Sequence, residues 1–324
     1  MSPAFLSYVC SCRVELKAGR RKAATASILV LILMAPAAKA ATIGSLTPLE
    51  VAYAGSMGSM MDSGIRPAAA KALGADLRGR AQGSTGLANL IVAGSIRPDV
   101  FIAVTPEPMR IVLRAGKAEK AVAIARTEMV IAYSRDSRYA GELAKSAGPG
   151  NKPWWRVLET RGLRFGRTDP NVDPQGLNLI FMMQLAEGYY HQPGLETKIL
   201  GPVINPRQIF QEPQLMARLQ AGQLDAASAY KTQPAALGLP FVTLPDEINL
   251  GSVSMQQQYQ RASVTLNGRT HRPSPLVFYA AVLKEAHEPA MAKRFVAWMQ
   301  GAQARAILAE FKYDAPGDAA ALLP

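Results

Sequence analysis

Past residue 40 the chain alternates short apolar runs with stretches whose apolar residues recur at helical spacing. The runs at 49–53 (LEVAY), 100–104 (VFIAV), 129–133 (MVIAY) and 241–244 read as strands. Amphipathic segments near 57–73, 87–93, 175–190, 212–221 and 289–311 read as helices. In the last of these, Met291, Phe295, Trp298 and Met299 share one face, which predicts a single long helix packed on a core rather than a cofactor box. Strands alternating with helices argue for an α/β fold with mostly parallel sheets.

Two segments have the look of crossings between lobes: 127–134, and the turn-rich Leu-Pro-Asp-Glu-Ile-Asn of 244–249. If both cross, residues 129–248 form one lobe, and residues 41–128 with 249–324 form the other.

The first forty residues set a compartment. Arg13, Lys17, Arg20, Arg21 and Lys22 precede an apolar run at 24–35, and Ala38-Lys39-Ala40 follows it. A basic start, a short apolar middle and an Ala-x-Ala exit form the pattern of a cleaved secretory signal, with cleavage expected after Ala40. The run is too short for a bilayer, which takes about 20 residues. The expected destination is the periplasm. Both cysteines, Cys10 and Cys12, fall in this leader, so the mature chain has neither a disulfide nor a thiolate metal site. The net charge is +12, of which +5 belongs to the leader. The remaining basic charges are scattered. A nucleic-acid surface calls for a basic stripe with interleaved aromatics, and none is visible; a mildly basic surface suits attraction of anions.

Three loop-to-helix junctions carry candidate chemistry: Ala54-Gly55-Ser56-Met57-Gly58-Ser59, Gln82-Gly83-Ser84-Thr85-Gly86, and Asp169-Pro170-Asn171-Val172-Asp173-Pro174-Gln175-Gly176. The first N–H groups of a helix lack intrahelical partners, and the helix dipole places partial positive charge there. A helix start that also offers a hydroxyl is therefore equipped to hold an anion. Taken singly, Ser, Thr or Asp before a helix serves mostly as a cap. Three such starts converging from two lobes would wrap a tetrahedral oxyanion without lysine or arginine.

The junctions, together with Arg97-Pro98-Asp99-Val100-Phe101, Ala229-Tyr230-Lys231 and Leu244-Pro245-Asp246-Glu247-Ile248-Asn249-Leu250, resemble the tungstate/molybdate-binding proteins of ABC transport systems, in order and spacing, from about residue 49 to 282. The resemblance implies a type II periplasmic-binding-protein fold of two lobes, each a mostly parallel sheet flanked by helices, with molybdate or tungstate in the cleft and no catalytic cofactor. It implies ligand roles for Ser56, Ser84, Asp173 and Tyr230, with backbone N–H groups near Asp173 and Ala229 completing the shell. It further implies a monomeric carrier, not an enzyme, that hands its ion to an inner-membrane permease. In archaeal-type members a glutamate immediately before the tyrosine joins the aspartate to expand the metal's coordination. Here that position is Ala229, so the expectation is a tetrahedral ion held by hydrogen bonds.

Other constellations are thinner. His191, His271 and His287 form no H-E-x-x-H pair, so no bare-cation metal site is expected. Tyr189-Tyr190-His191 supplies tyrosines of the kind that hold ferric ion, which keeps an iron carrier as an alternative beside a sulfate-like one; the helix ending there reads as packing. Trp154-Trp155 reads as a packing anchor. Neither a G-x-S-x-G elbow nor a P-loop nor a dinucleotide fingerprint occurs.

Overall fold

The computed structural model describes residues 46–324; the basic leader, its two cysteines and the expected cleavage point lie outside the described residues. Strands β1 (Thr47–Ala54), β2 (Ala75–Gln82), β3 (Val100–Val104) and β4 (Val122–Arg126) come from the first part of the chain. Strands β5 (Met129–Tyr133), β6 (Phe165–Gly166), β7 (Ala226–Tyr230) and β8 (Phe241–Val242) follow. The small hairpin β9 (Val264–Leu266) and β10 (Arg269–His271) precedes the last strand, β11 (Val277–Val282). One sheet has the order β2-β1-β3-β11-β4 and the other β6-β7-β5-β8. Each sheet thus anchors one lobe of an α/β molecule.

Both sheets are mixed rather than mostly parallel. β1 runs parallel to β2 and β3, and β6 to β7, but β11 is antiparallel to both its neighbours, as is β5 to β7 and β8. The antiparallel members, β5 and β11, are those that adjoin the crossing segments. There Met129 N donates to Asn249 O at 2.7 Å, Thr127 N to Leu276 O at 2.9 Å, and Leu276 N to Leu250 O at 2.8 Å. Asn249 pins the turn, donating to Leu244 O and Asp246 Oδ1 and accepting from Gly251 N.

The apolar runs of β3, β5 and β7 are buried along their whole length because helices cover both faces of their sheets. On one face of the first sheet Ala52, Phe101 and Tyr279 pack against Leu87, Ile91, Met109 and Val112. On the outer face of the second, Val130, Ala132, Ala227 and Ala229 pack against Leu215 and Leu219. The largest cluster holds Met57, Met60, Met61, Trp154, Trp155, Phe181, Phe278 and Phe295, which makes the tryptophan pair a packing anchor.

Two expected helices differ in form. The segment after β1 passes through a 3-10 turn, one α turn and a π turn before the regular helix Arg66–Leu73. The expected C-terminal helix is two, Pro289–Met299 and Ala302–Glu310. Gly301 breaks it by adopting extended backbone (φ −81°, ψ 168°) while its N–H donates to Trp298 O. Beyond the second helix the chain lies along β4, the outermost strand of its sheet. Asp314 exchanges both backbone bonds with Arg126, and Leu322 does so with Ala121.

Candidate functional site

Parallel strands deliver their carboxyl ends to one edge, and in open α/β sheets ligands sit outside that edge. β1 and β2 finish in register at Ala54 and Gln82, and each chain then turns through a glycine to a serine. Ser56 lies in the 3-10 turn Gly55–Met57, and Ser84 opens the helix Ser84–Val92. The two serines therefore stand on neighbouring loops of one edge. The Ser84 hydroxyl is 1% exposed and accepts from Val104 N at 3.2 Å, so the end of β3 fixes it as well. Ser56 O accepts from the Tyr313 hydroxyl at 3.1 Å.

The opposing wall comes from the second lobe. In the loop 169–173, Asp169 Oδ1 accepts from Asn171 N at 2.9 Å, and Asp173 N donates to Asp169 O at 2.9 Å. Asp173 then caps the helix Pro174–Tyr189, its Oδ1 accepting from Gln175 N at 2.9 Å, with Pro174 at the first helical position, where no N–H is missed. Gly176 lets this first turn press on the loop: a Cβ there would come 2.8 Å from Pro170 N and closer still to Thr168 O. Gly83 performs the same service between lobes, since a Cβ would stand 3.1 Å from Val172 O. The cleft is closed at this point.

Tyr230 ends β7, 1% exposed, with its hydroxyl accepting from Asn178 Nδ2 at 3.1 Å. Its N–H is taken by Gln233 Oε1 at 2.8 Å. Ala229, by strand alternation, turns its methyl to the opposite face of β7, into the cluster with Val130 and Leu215. Ser56 lines a cavity with Glu212, the Val172-Asp173 loop lies against Gly83, and the Tyr230 hydroxyl is held by Asn178 of the helix that Asp173 caps, while the Ala229 side chain lies on the other face of its strand.

An acidic side chain outside the expected set adjoins Ser56. Glu212 opens the helix Glu212–Gln220 and extends its carboxylate to Gly55, where a Cβ would meet its Oε2 and push the carboxylate aside. Gln233 Nε2 donates to Glu212 Oε1 at 2.7 Å, which links the carboxylate to the Tyr230 N–H through one amide. Burial, then the charge of nearby Asp173, pushes the Glu212 carboxyl well above the usual range. Burial likewise raises Asp173 to about 6, against the lowering effect of the Gln175 N–H bond. Tyr230 is pushed up by burial first and then by Asp173. Ser56, Glu212, Gln233, Tyr313 and Thr232 line a cavity of about 150 Å³, and the buried Thr232 hydroxyl has no hydrogen-bond partner there.

The tyrosine pair of the iron alternative is placed differently. Tyr190 OH accepts from Trp154 Nε1 at 3.2 Å, and its ring meets Tyr189 edge-on at 4.9 Å. Among the described residues, no group of three His, Cys, Asp or Glu could hold a bare metal ion, and no helix is long and apolar enough to cross a membrane.

Residues 49–313 match the family model described as bacterial extracellular solute-binding protein. The chain belongs to that family. A molybdate/tungstate-binding protein of Thermococcus kodakarensis is 32% identical over 214 residues, which are 60% of this chain and 59% of that protein, so the match spans less than two thirds of the relative. The periplasmic molybdate-binding protein of Azotobacter vinelandii superposes with a TM-score of 0.56 at 17% identity, over 83% of this chain and 99% of that one. The sulfate-binding protein of Mycobacterium tuberculosis does so with 0.58 at 14%, over 84% and 88%. At such identities the fold is what these solved structures share with the chain, and a ligand has to be argued from side chains.

Proposed function

We propose that this solute-binding protein captures molybdate or tungstate between its lobes in the periplasm and, as a monomer, delivers it to an inner-membrane ABC permease. What supports the reading is that the Gly55-Ser56 turn abuts Glu212 and the Gly83-Ser84 turn abuts the Val172-Asp173 loop, with both carboxyls near enough to Tyr230 to raise its pKa. Hydroxyls and helix-start N–H groups suit the oxygens of a doubly negative ion. Two carboxyls do not; buried beside such an ion they would be repelled unless protonated. They suit the metal atom behind the oxygens. Molybdenum and tungsten accept further oxygen ligands, whereas the sulfur of sulfate does not. Glu212 therefore removes the reason for expecting a purely tetrahedral, hydrogen-bonded ion, and supports expanded coordination by Asp173 and Glu212 together. The Thermococcus relative, with its molybdate/tungstate-binding name, points the same way.

In this reading residues 41–128 and 249–324 move as one lobe and 129–248 as the other, hinged where Met129 meets Asn249. Closure presses Gly55 on Glu212 and Gly83 on Val172, and the closed form is what a permease recognises.

Titration calorimetry with tungstate, molybdate and sulfate tests the proposal, with X-ray absorption at the metal edge to count ligands. Tight binding of the first two, weak binding of sulfate and a six-oxygen shell that falls to fewer in Glu212→Gln are expected. Sulfate binding as tightly as tungstate would overturn it.

A further inference from the structure

On the other side of Asp173 lies a cavity of about 600 Å³, far roomier than one tetrahedral ion needs. The β9–β10 hairpin borders it from one lobe, and the start of the Pro174 helix from the other; Asn267 Nδ2 donates to Asn171 Oδ1 at 3.3 Å across the gap. Its charged lining is lopsided. Arg110, Arg269, Arg272 and His271 face Glu107 and Asp173. Arg269 is paired with Glu107 through its Nη2. Arg272 binds only a backbone carbonyl, that of Gln260, at 2.7 Å, and among the described residues neither Arg110 nor Arg272 has a salt-bridge partner.

Two buried polar residues also line the cavity. Thr105, 8% exposed, lines the cavity while held at φ 65° and ψ 157°, a backbone region that only glycine adopts without strain. Asn178, 3% exposed, also lines it, and only the Nδ2 end of its amide is engaged, by Tyr230.

We infer that this cavity is an anion vestibule, a second and weaker oxyanion-binding site whose Arg110 and Arg272, both on the lobe that carries Ser84, concentrate the ion on its way to Ser84 and Tyr230. The inference rests on the proposed function for the identity of the ion. A basic concave surface raises the local concentration of an anion and so its association rate. Removing two positive charges about 10 Å from the path of a divalent anion slows association about tenfold at 0.01 M ionic strength and about twofold at 0.15 M, where screening has shortened their reach. The dissociation rate constant stays the same, because neither arginine touches the ion in its final position.

Stopped-flow fluorescence with molybdate, comparing the full-length mature protein with its Arg110→Gln/Arg272→Gln variant across sodium chloride concentrations, reads both constants. Slower association that converges on the wild-type value at high salt, with dissociation unchanged, is the expected result. Equal association rates at every salt concentration overturn the vestibule, as does a loss confined to the dissociation rate. If the wild type binds neither molybdate nor tungstate, the proposed function fails. The vestibule is then read by titrating sulfate against the ring resonances of His271 by NMR. A saturable shift abolished in the double variant sustains it, and no shift removes it.

Discussion

Glu212→Gln should make the ligand-free protein more stable at neutral pH while weakening its hold on tungstate. Burial holds both carboxyls above their ordinary range, Asp173 at about 6 from 3.8 and Glu212 in the same direction. A folded-state pKa above the unfolded one means that the native state keeps a proton the unfolded chain gives up. Stability from such a group is fully present below the unfolded value and is lost as pH rises to the folded one. For Asp173 the window runs from 3.8 to about 6. At about 1.4 kcal/mol per pH unit, its ionisation withdraws about 3 kcal/mol by neutral pH. Replacing Glu212 by a neutral amide removes the neighbour's own penalty and its repulsion of Asp173, while Gln233 can still donate to the side-chain oxygen. Relief of such an unpaired acidic group is worth about 1–2 kcal/mol at pH 7.5, about 2–4 °C in melting temperature for a chain of this size. At pH 4 both carboxyls are protonated in the native state, and an unfolded Glu212, with its ordinary value of 4.5, is mostly protonated too, so most of the gain is lost. Scanning calorimetry of the two ligand-free proteins at both pH values measures it. A variant less stable than wild type at pH 7.5, or a gain that is the same at pH 4, would show that the carboxylate pair carries no such strain.

Three further outcomes are expected. Tyr230→Phe removes a hydroxyl from the site and leaves Asn178 Nδ2 without its acceptor; tungstate affinity falls about tenfold by calorimetry, with a stability loss of about 1–2 kcal/mol. Gly176→Ala forces a methyl against Thr168 and Pro170 backbone that cannot swing aside, and urea unfolding should show a loss of about 2–3 kcal/mol. Ferric citrate added to the wild type should produce no visible tyrosinate band, because the Tyr190 hydroxyl is bound to Trp154; a band that disappears in Tyr190→Phe would revive the iron reading.

The parts of the fold legible in the sequence are those whose strands are covered on both faces. β1, β3 and β5 read as apolar runs because their sheets are sandwiched between helices. β2, Ala-Asp-Leu-Arg-Gly-Arg-Ala-Gln, gives no such signal, since it lies at a sheet edge with its last five residues exposed. β7, Ala-Ala-Ser-Ala-Tyr, is wholly buried yet made of small residues with little strand preference of their own; tertiary packing determines it. The turns carrying Ser56 and Ser84 were legible through their glycines, although neither serine caps a helix, and the Asp173 loop through its cap. Glu212 was not, because an acidic residue followed by proline at a helix start reads as ordinary dipole compensation. Only the fold, by bringing Gly55 to it, distinguishes it from a solvated side chain.

The pairing of Asp314 and Leu322 with β4 has a practical meaning. An outermost strand with free N–H and C=O groups invites a second molecule to add on, and here the chain's own tail occupies that row at both ends. Shortening the protein after Tyr313 would uncover it, turning a self-sealed sheet into a template for aggregation, while a tag appended after Pro324 leaves the seal in place.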